Sequence, residues 1–437
     1  MAEILIAAMQ PIGHVGPLLS VAEGLVNRGD RVIFLTAGRH EERIRAIGAQ
    51  PAALPPEAEF DESRIDIDFP GRTETSGIKR VNFDIIRLFL APMPHQTAAL
   101  AELTSRTKFD AIIADAGFFG VLPFLLGDPA ARPPVLTYST TPLWLSSRDT
   151  APPGLGLPPS ATTLGRLRNR TLNLLSHKVL LRQAHGAANY LLDQLNTPKL
   201  PMFVLDTGVL ADRCIAPTVP QFDYPRSDLP ANVRFVGAIH PRPAEAYRPP
   251  AWWPELDGDR PVVHVTQGTV DNADLSRLVE PTIEALAGED VVLVATTGGR
   301  PVDHITTAMP LNTHVAEYIP HDWLLPKVDV MVTNGGFGAV QRALATGVPL
   351  VVAGNTEDKP EVAARVAWAG AGVNMRTGTP DAGQIRRAVR EVLENPGYRT
   401  RARELEVAYA QRDGVAEIAA LVDEVIAERA PLVGPAV

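Results

Sequence analysis

The chain has 437 residues, of which 45% are hydrophobic and 21% charged; this is ordinary globular usage and excludes a largely disordered protein. Lys plus Arg number 41 against 50 Asp plus Glu, a net charge of −9, so a chain without a basic block is a poor candidate for nucleic acid or an anionic membrane. One cysteine, Cys214, excludes a disulfide framework and a thiolate metal site within the chain.

At about 150 residues per domain the length suggests two or three domains. The start, Met1 to Met9, lacks a basic region ahead of its short apolar run, and no apolar run is long enough to span a bilayer. The expectation is a cytoplasmic protein without membrane insertion.

Short apolar runs alternate with helical patterns, the signature of an α/β chain whose mostly parallel sheet is covered on both faces. Strands are predicted at 4–9 and 31–36. Between them Leu18, Leu19, Ala22, Leu25 and Val26 recur at helical spacing, with Pro17 in the first turn and Gly29 at the stop. Further strands are expected at 111–115, 135–138 and 213–216. A second series follows: strands at 262–266, 291–296, 329–333 and 350–353, and helices at 274–287, 337–346, 360–369 and 381–394.

Between the two series lies a stretch dense in proline, including Pro217, Pro230, Pro241, Pro243 and Pro254, which can form neither a long helix nor a central strand. It reads as a linker at about 217–260. The expectation is two Rossmann-like doubly wound domains, 1–240 and 241–414, with a C-terminal helix at 415–437 packing back on the first. Two segments break the alternation: 60–107, a polar loop leading to a helix with Ile85, Leu88, Phe89 and Met93 on one side, and 140–200, a Pro/Gly-rich loop and a helical stretch. Insertions of this size either shape a pocket for an apolar molecule or only cover the sheet.

The first strand-to-helix turn reads Gln10-Pro-Ile-Gly-His-Val-Gly16. Only two glycines of the dinucleotide fingerprint align, and the second strand lacks the ribose-binding acid, so a nicotinamide-dependent oxidoreductase is disfavoured. His14 sits at the carboxyl end of the first strand, where open α/β sheets bind ligands. A helix N-terminus disfavours imidazolium, leaving a neutral base near pH 7; the alternative is a solvent-facing turn histidine. Asp115, closing the strand at 111–115, emerges at the same edge and can fix the tautomer of His14, cap the next helix, or both.

In the second half, Asp329-Val-Met-Val-Thr-Asn-Gly-Gly-Phe-Gly338 is a strand running into a glycine-rich turn and a helix, the physics of a phosphate site. Asn334 can also be a plain N-cap. Gly268-Thr269 offers a hydroxyl and bare backbone, Tyr318-Ile-Pro-His321 a stacking face and polar contacts, and Glu357-Asp-Lys-Pro-Glu361 further polar groups at the same edge. Asp358 and Glu361 can equally form a capping box around Pro360. The histidines lack metal-ligand spacing, so no metal site is expected. The Arg399, Arg401, Arg403 cluster reads as a solvated helix face.

Taken together, Gly13-His-Val-Gly-Pro-Leu-Leu19 at the front and Tyr318 through Glu361 with Ala363-Ala-Arg-Val366 at the back resemble the inverting nucleotide-sugar glycosyltransferases of GT-B fold, in their macrolide and natural-product branch. The resemblance implies an acceptor-binding first domain, a donor-binding second domain and a cleft between them. It implies His14 as catalytic base and Asp115 as its support. Donor contacts implied are Gly13, Gly268, Thr269 and Thr297, then Tyr318, Ile319 and His321 around the base. Asn334, Gly335, Gly336, Phe337, Gly338 and Ala339 are implied at the phosphates, and Asp358 and Lys359 at the sugar. Acceptor contacts are expected from Phe89, Met93, Phe118 and Trp144.

No cofactor or metal is implied beyond the co-substrate, UDP-glucose or a TDP-sugar, and the acceptor is an apolar small molecule such as a polyketide antibiotic or a phenolic. Three positions depart from the pattern. Asn334 stands for a histidine, Arg342 for a ribose-binding glutamate, and Lys359 for a glutamine. Lys359 or Arg342 is a candidate for the positive charge that Asn334 lacks. These departures also motivate a second reading, a non-catalytic nucleotide-sugar-binding activator or partner.

Overall fold

A computed structural model describes residues 1–240, 247–269 and 271–429. The first sheet has seven strands: β1 (Glu3–Ala7), β2 (Arg31–Thr36), β3 (Gln50–Ala53), β4 (Ala111–Asp115), β5 (Val135–Tyr138), β6 (Arg213–Ala216) and β7 (Val233–Phe235). Their order is β3-β2-β1-β4-β5-β6-β7, all parallel. The second has six parallel strands, β8 (Val262–Thr266), β9 (Val292–Thr296), β10 (Thr313–Ala316), β11 (Val330–Thr333), β12 (Leu350–Val352) and β13 (Gly372–Asn374), in the order β10-β9-β8-β11-β12-β13.

Strand side chains alternate between faces, and a parallel sheet covered on both sides needs both sets apolar. In β1, Leu5 and Ala7 enter one core with Leu88 and Met93, whereas Ile4 and Ile6 enter another with Val21 and Leu25. The second sheet divides in the same way: Val292 and Val294 of β9 pack with Phe337 and Val340, while Leu293 and Ala295 pack with Ile283 and Val389.

Seven helices matter below. They are α1 (Ile12–Asn27), α2 (Gly77–Asp84), α3 (Met93–Arg106), α4 (Thr163–Leu175), α5 (Phe337–Ala345), α6 (Lys359–Ala369) and α7 (Gly414–Arg429). α7 returns to the first sheet: Ile418 and Val422 share the core of Ile4 and Ile6, and Arg28 donates to the Ala419 carbonyl at 3.0 Å and to Asp423. Residues 430–437 of the expected C-terminal segment, and Pro241 and Pro243 of the linker, lie outside the described residues.

The predicted strands are present, with ends shifted by at most two residues. Four strands went unread: β3, β7, β10 and β13. All four are sheet edges, and β7 falls inside the proline-rich stretch because an edge tolerates neighbouring prolines that a central strand cannot. The helix expected within 60–107 is broken, α2 passing through a π-turn at Ile85–Leu90 before α3 begins. The arginine cluster is not simply solvated: Arg399 donates to the Asp329 carboxylate at 2.7 Å and Arg401 to the Ala369 carbonyl at 3.1 Å.

Candidate active site

Each sheet has one place where the chain's winding reverses, between β1 and β4 in the first and between β8 and β11 in the second. Connections leave such a point in opposite directions and open a crevice at the strands' carboxyl ends. His14, in the first turn of α1 after β1, and Asp115, the last residue of β4, meet at the first crevice. His14 Nδ1 lies 2.6 Å from Asp115 Oδ2. A carboxylate only accepts, so Nδ1 carries the proton and Nε2 is left with its lone pair.

Asp115 is wholly buried. It also accepts from the backbone N–H of Met9 at 3.2 Å and of Gly117 at 2.9 Å, so it is both the support of His14 and the organiser of its own turn. The hydroxyl of Thr140, on the loop after β5, stands 3.1 Å from the same imidazole nitrogen, and the ring of Phe89 lies 5.9 Å from that of His14.

A helix N-terminus depresses an imidazole pKa, yet that of His14 is raised above its ordinary value. Burial is the largest influence on His14 and lowers its pKa, but Asp115, Asp358 and Glu357 together outweigh it and raise it. The last two belong to the loop after β12, so carboxylates of the second half act electrostatically on the imidazole of the first. Asp358 feels the complementary situation: burial pushes its pKa up to about 6, against the pull of Lys359 and His14.

At the second crevice α5 begins at Phe337 with Gly336 as N-cap. The first helical bond there is Val340 N–H to the Gly336 carbonyl at 3.0 Å, which leaves the N–H groups of Phe337, Gly338 and Ala339 without partners inside the helix. Gly335 has φ +91°, a conformation open to glycine, and a Cβ there would sit 2.7 Å from Val352 Cγ1. Gly268, at φ +72°, lies opposite, with Thr269 exposed beside it. Tyr318 is 60% exposed, its face accessible. His321 is largely buried, and burial together with His264 and Arg342 lowers its pKa to about 3, so it is neutral at any working pH. Gly13 stands exposed next to His14, and a Cβ there would meet nothing within 4 Å.

Several expected contacts are placed differently. Met93 and Phe118 are wholly buried in the core under β1, so neither side chain lines a cavity; the Phe118 N–H bonds back to the Asp115 carbonyl at 2.8 Å and the ring turns inward. Ile319 and Phe337 bury their side chains in the second core, which leaves only their backbones for a ligand. Thr297 spends its hydroxyl on the carbonyls of Arg300 and Glu317. The Asn334 amide donates to the Gln267 carbonyl at 2.6 Å and ties the β8 and β11 turns together.

Lys359 is buried, held by Glu357 and 3.6 Å from Asp271 Oδ2. Its ammonium is therefore committed to carboxylates, which removes it as the source of free positive charge at the phosphates. No capping box forms either. Asp358 makes no side-chain cap, and Glu361 accepts from the N–H groups of Gly154 and Gly156 at 2.9 and 2.8 Å. Of the acceptor set, Phe89 stands against His14, and Trp144 is half-buried on the loop after β5.

Thr140 and Asp271 were missed, and Glu361, read as a polar group or a cap of its own turn, instead holds the 154–156 loop. Thr140 had a signal, a Ser-Thr-Thr run directly after a central strand. Nothing local ties Asp271 to Thr356 and Lys359, or Glu361 to Gly154 and Gly156, because those partners lie on distant segments. Among the described residues no cluster of three or more His, Cys, Asp or Glu side chains could hold a metal ion, and no helix is long and apolar enough to cross a membrane.

Residues 281–425 match the family model of the C-terminal domain of erythromycin biosynthesis protein CIII-like proteins. The chain is 42% identical over 429 residues to 4'-demethylrebeccamycin synthase of Lentzea aerocolonigenes, covering 97% of this chain and 100% of that one. It is 37% identical to UDP-glycosyltransferase 2 of Phaeomoniella chlamydospora, covering 97% and 96% of the two chains. Among solved structures, the calicheamicin glycosyltransferase CalG4 superposes with a TM-score of 0.72 at 21% identity, covering 99% of this chain and 100% of that one, a likeness of fold. With two facing parallel sheets, a histidine–aspartate pair at one switch point and a glycine-rich helix start at the other, this chain belongs to the GT-B natural-product glycosyltransferases related to the UDP-glycosyltransferases.

Proposed function

We propose that this protein transfers a hexose from a nucleotide-diphosphate donor, UDP-glucose or a TDP-sugar, to a hydroxyl of an apolar natural product, with inversion at the anomeric carbon. The observation that carries this reading is the His14–Asp115 pair at 2.6 Å, with the Asp358 carboxylate of the opposite half close enough to raise the imidazole pKa. In the proposed reaction Nε2 of His14 takes the acceptor's hydroxyl proton as its oxygen attacks the anomeric carbon. Asp115 holds the ring and stabilises the imidazolium that forms. The unpaired N–H groups at the start of α5 would receive the leaving diphosphate, with the exposed Thr269 hydroxyl beside them. Asp358 would accept from sugar hydroxyls and Tyr318 would offer a stacking face to the base. Displacement from the opposite side passes through a transition state of oxocarbenium character. No cofactor or metal is part of this scheme.

A relative named as a 4'-demethylrebeccamycin synthase supports a natural-product acceptor, and relatives named as UDP-glucosyltransferases support a UDP-linked glucose. General-base assistance is commonly worth about 10²–10⁴-fold. His14→Ala should therefore lower turnover by that order while nucleotide binding, followed by thermal shift against UDP and TDP, persists. Near-normal turnover in the variant would remove the assignment. Transfer by the purified chain alone separates an enzyme from a non-catalytic partner.

A further inference from the structure

Helix α4 is inside out. Its inward face carries Gly165, Asn169 and Asn173, followed by Ser176 just beyond its end, and its outward face carries leucines: Leu164 is 80% exposed, Leu167 61% and Leu174 59%, with Val179 of the following turn at 63%. Leu164, Leu167 and Leu174 lie three and seven residues apart, spacings that return to one helix side, and Val179 follows on the next turn, so they form an apolar stripe interrupted by Thr171. The inward asparagines are used. Asn169 donates to the carbonyls of Arg148 and Ser160 at 3.1 and 3.3 Å, and Asn173 to those of Ser147 and Thr150 at 3.3 and 3.1 Å. The helix is thus fixed in this orientation by buried amides, and its apolar side has no cover among the described residues.

The charge around the stripe is equally one-sided. Between Asp149 and Asp193 the sequence contains no carboxylate and five cations, Arg166, Arg168, Arg170, Lys178 and Arg182, in a chain whose net charge is −9. Arg166 is engaged by Asp149, but Arg170, Lys178 and Arg182 are exposed and no carboxylate among the described residues pairs with them. Lys178 also lines, with His177 and His185, a cavity of about 270 Å³ beside the stripe.

Exposed leucines framed by unpaired cations match an interface whose interior is apolar and whose rim is negative. We infer that the α4 face, from Leu164 to Val179, docks on the surface of an anionic lipid bilayer, with the leucines at the acyl boundary and Arg170, Lys178 and Arg182 among the headgroups. Net charge summed over the whole chain hides this patch, because headgroup attraction decays within about 10 Å at ordinary salt and only local charge counts. The loop that α4 grips reaches the cleft, since Gly154 and Gly156 bond to Glu361 of α6. A docked chain would hold its cleft at the bilayer surface, where apolar molecules concentrate; the docking itself does not depend on which reaction the cleft performs.

The test is flotation of the full chain with vesicles of phosphatidylglycerol and phosphatidylcholine, compared with phosphatidylcholine alone. The expected result is binding to the anionic vesicles that falls about tenfold in the double variant L167D/L174D and by a similar factor in about 0.5 M salt. Both leucines are exposed, so the variant should melt at the parent temperature, which is measured alongside. Failure of the parent to float, or equal flotation of the variant, overturns the inference. So does a concentration-dependent dimer in sedimentation that the double variant abolishes without any vesicle binding, which would make a second copy of this chain the occupant.

Discussion

At the residue scale the protein's chemistry depends on what surrounds one imidazole. Burial alone would strip His14 of its proton, yet Asp115, with help from Asp358 and Glu357, outweighs it and raises the pKa above the ordinary value of 6.5. A base must be unprotonated, so activity should fall as pH drops through this raised pKa, an acid limb displaced to higher pH than a free histidine would give. Asp115→Asn removes the strongest raising influence. Its acid limb in kcat/KM against pH should move to lower pH, and turnover should drop about 10²–10⁴-fold because an amide no longer selects the Nδ1–H tautomer. An unmoved limb would show that Asp115 does not set the titration. His14 and Asp115 were both legible in the sequence, since each follows or ends a recognisable central strand. The direction of the pKa shift was not, because two of the carboxylates responsible lie more than three hundred residues further along the chain.

At the element scale the diphosphate end of the proposed site depends on how closely α5 can start against β12. Gly335 adopts φ +91°, and a side chain there would strike Val352. Gly335→Ala should cost about 1–3 kcal/mol in equilibrium unfolding, from the left-handed backbone and the overlap together, and weaken nucleotide binding as the turn shifts. Unfolding and nucleotide titration at parental values would mean that the turn relaxes freely. Elements were readable where burial was symmetrical: β1, β4, β8 and β11 are near-continuous apolar runs because helices cover both faces. The four edges were unreadable for the converse reason. β3 is Gln-Pro-Ala-Ala and β13 is Gly-Val-Asn, too short and too little buried to announce a strand before a neighbour supplies the hydrogen bonds.

At the scale of the whole molecule, α6 joins the two halves. Arg365 Nε donates to Asp223 at 2.8 Å and its Nη1 to Glu361 at 2.9 Å, and its guanidinium lies 4.2 Å from the centre of the Tyr224 ring. Glu361 in turn holds the 154–156 loop of the first half. All three charges are buried, so removing the cation leaves carboxylates without full compensation. Burial pushes the Asp223 pKa up, but Arg365 and Arg226 together hold it below the usual range. Arg365→Ala should therefore destabilise the protein by about 3–5 kcal/mol. A loss under about 1 kcal/mol in denaturant unfolding would mean that Arg226 alone suffices for Asp223.

The sequence by itself determined two alternating α/β series, a proline-dense connection and the chemistry-bearing turns at the strand ends, because periodicity, glycine and proline act over a few residues. It did not determine which polar groups stay available to a ligand. The Asn334 amide, the Lys359 ammonium and the Thr297 hydroxyl are all taken by partners that only folding brings within reach. The inverted face of α4 was hidden in the same way: a helix pattern tells which residues share a side, but whether that side meets loop carbonyls or solvent is settled by what packs against it.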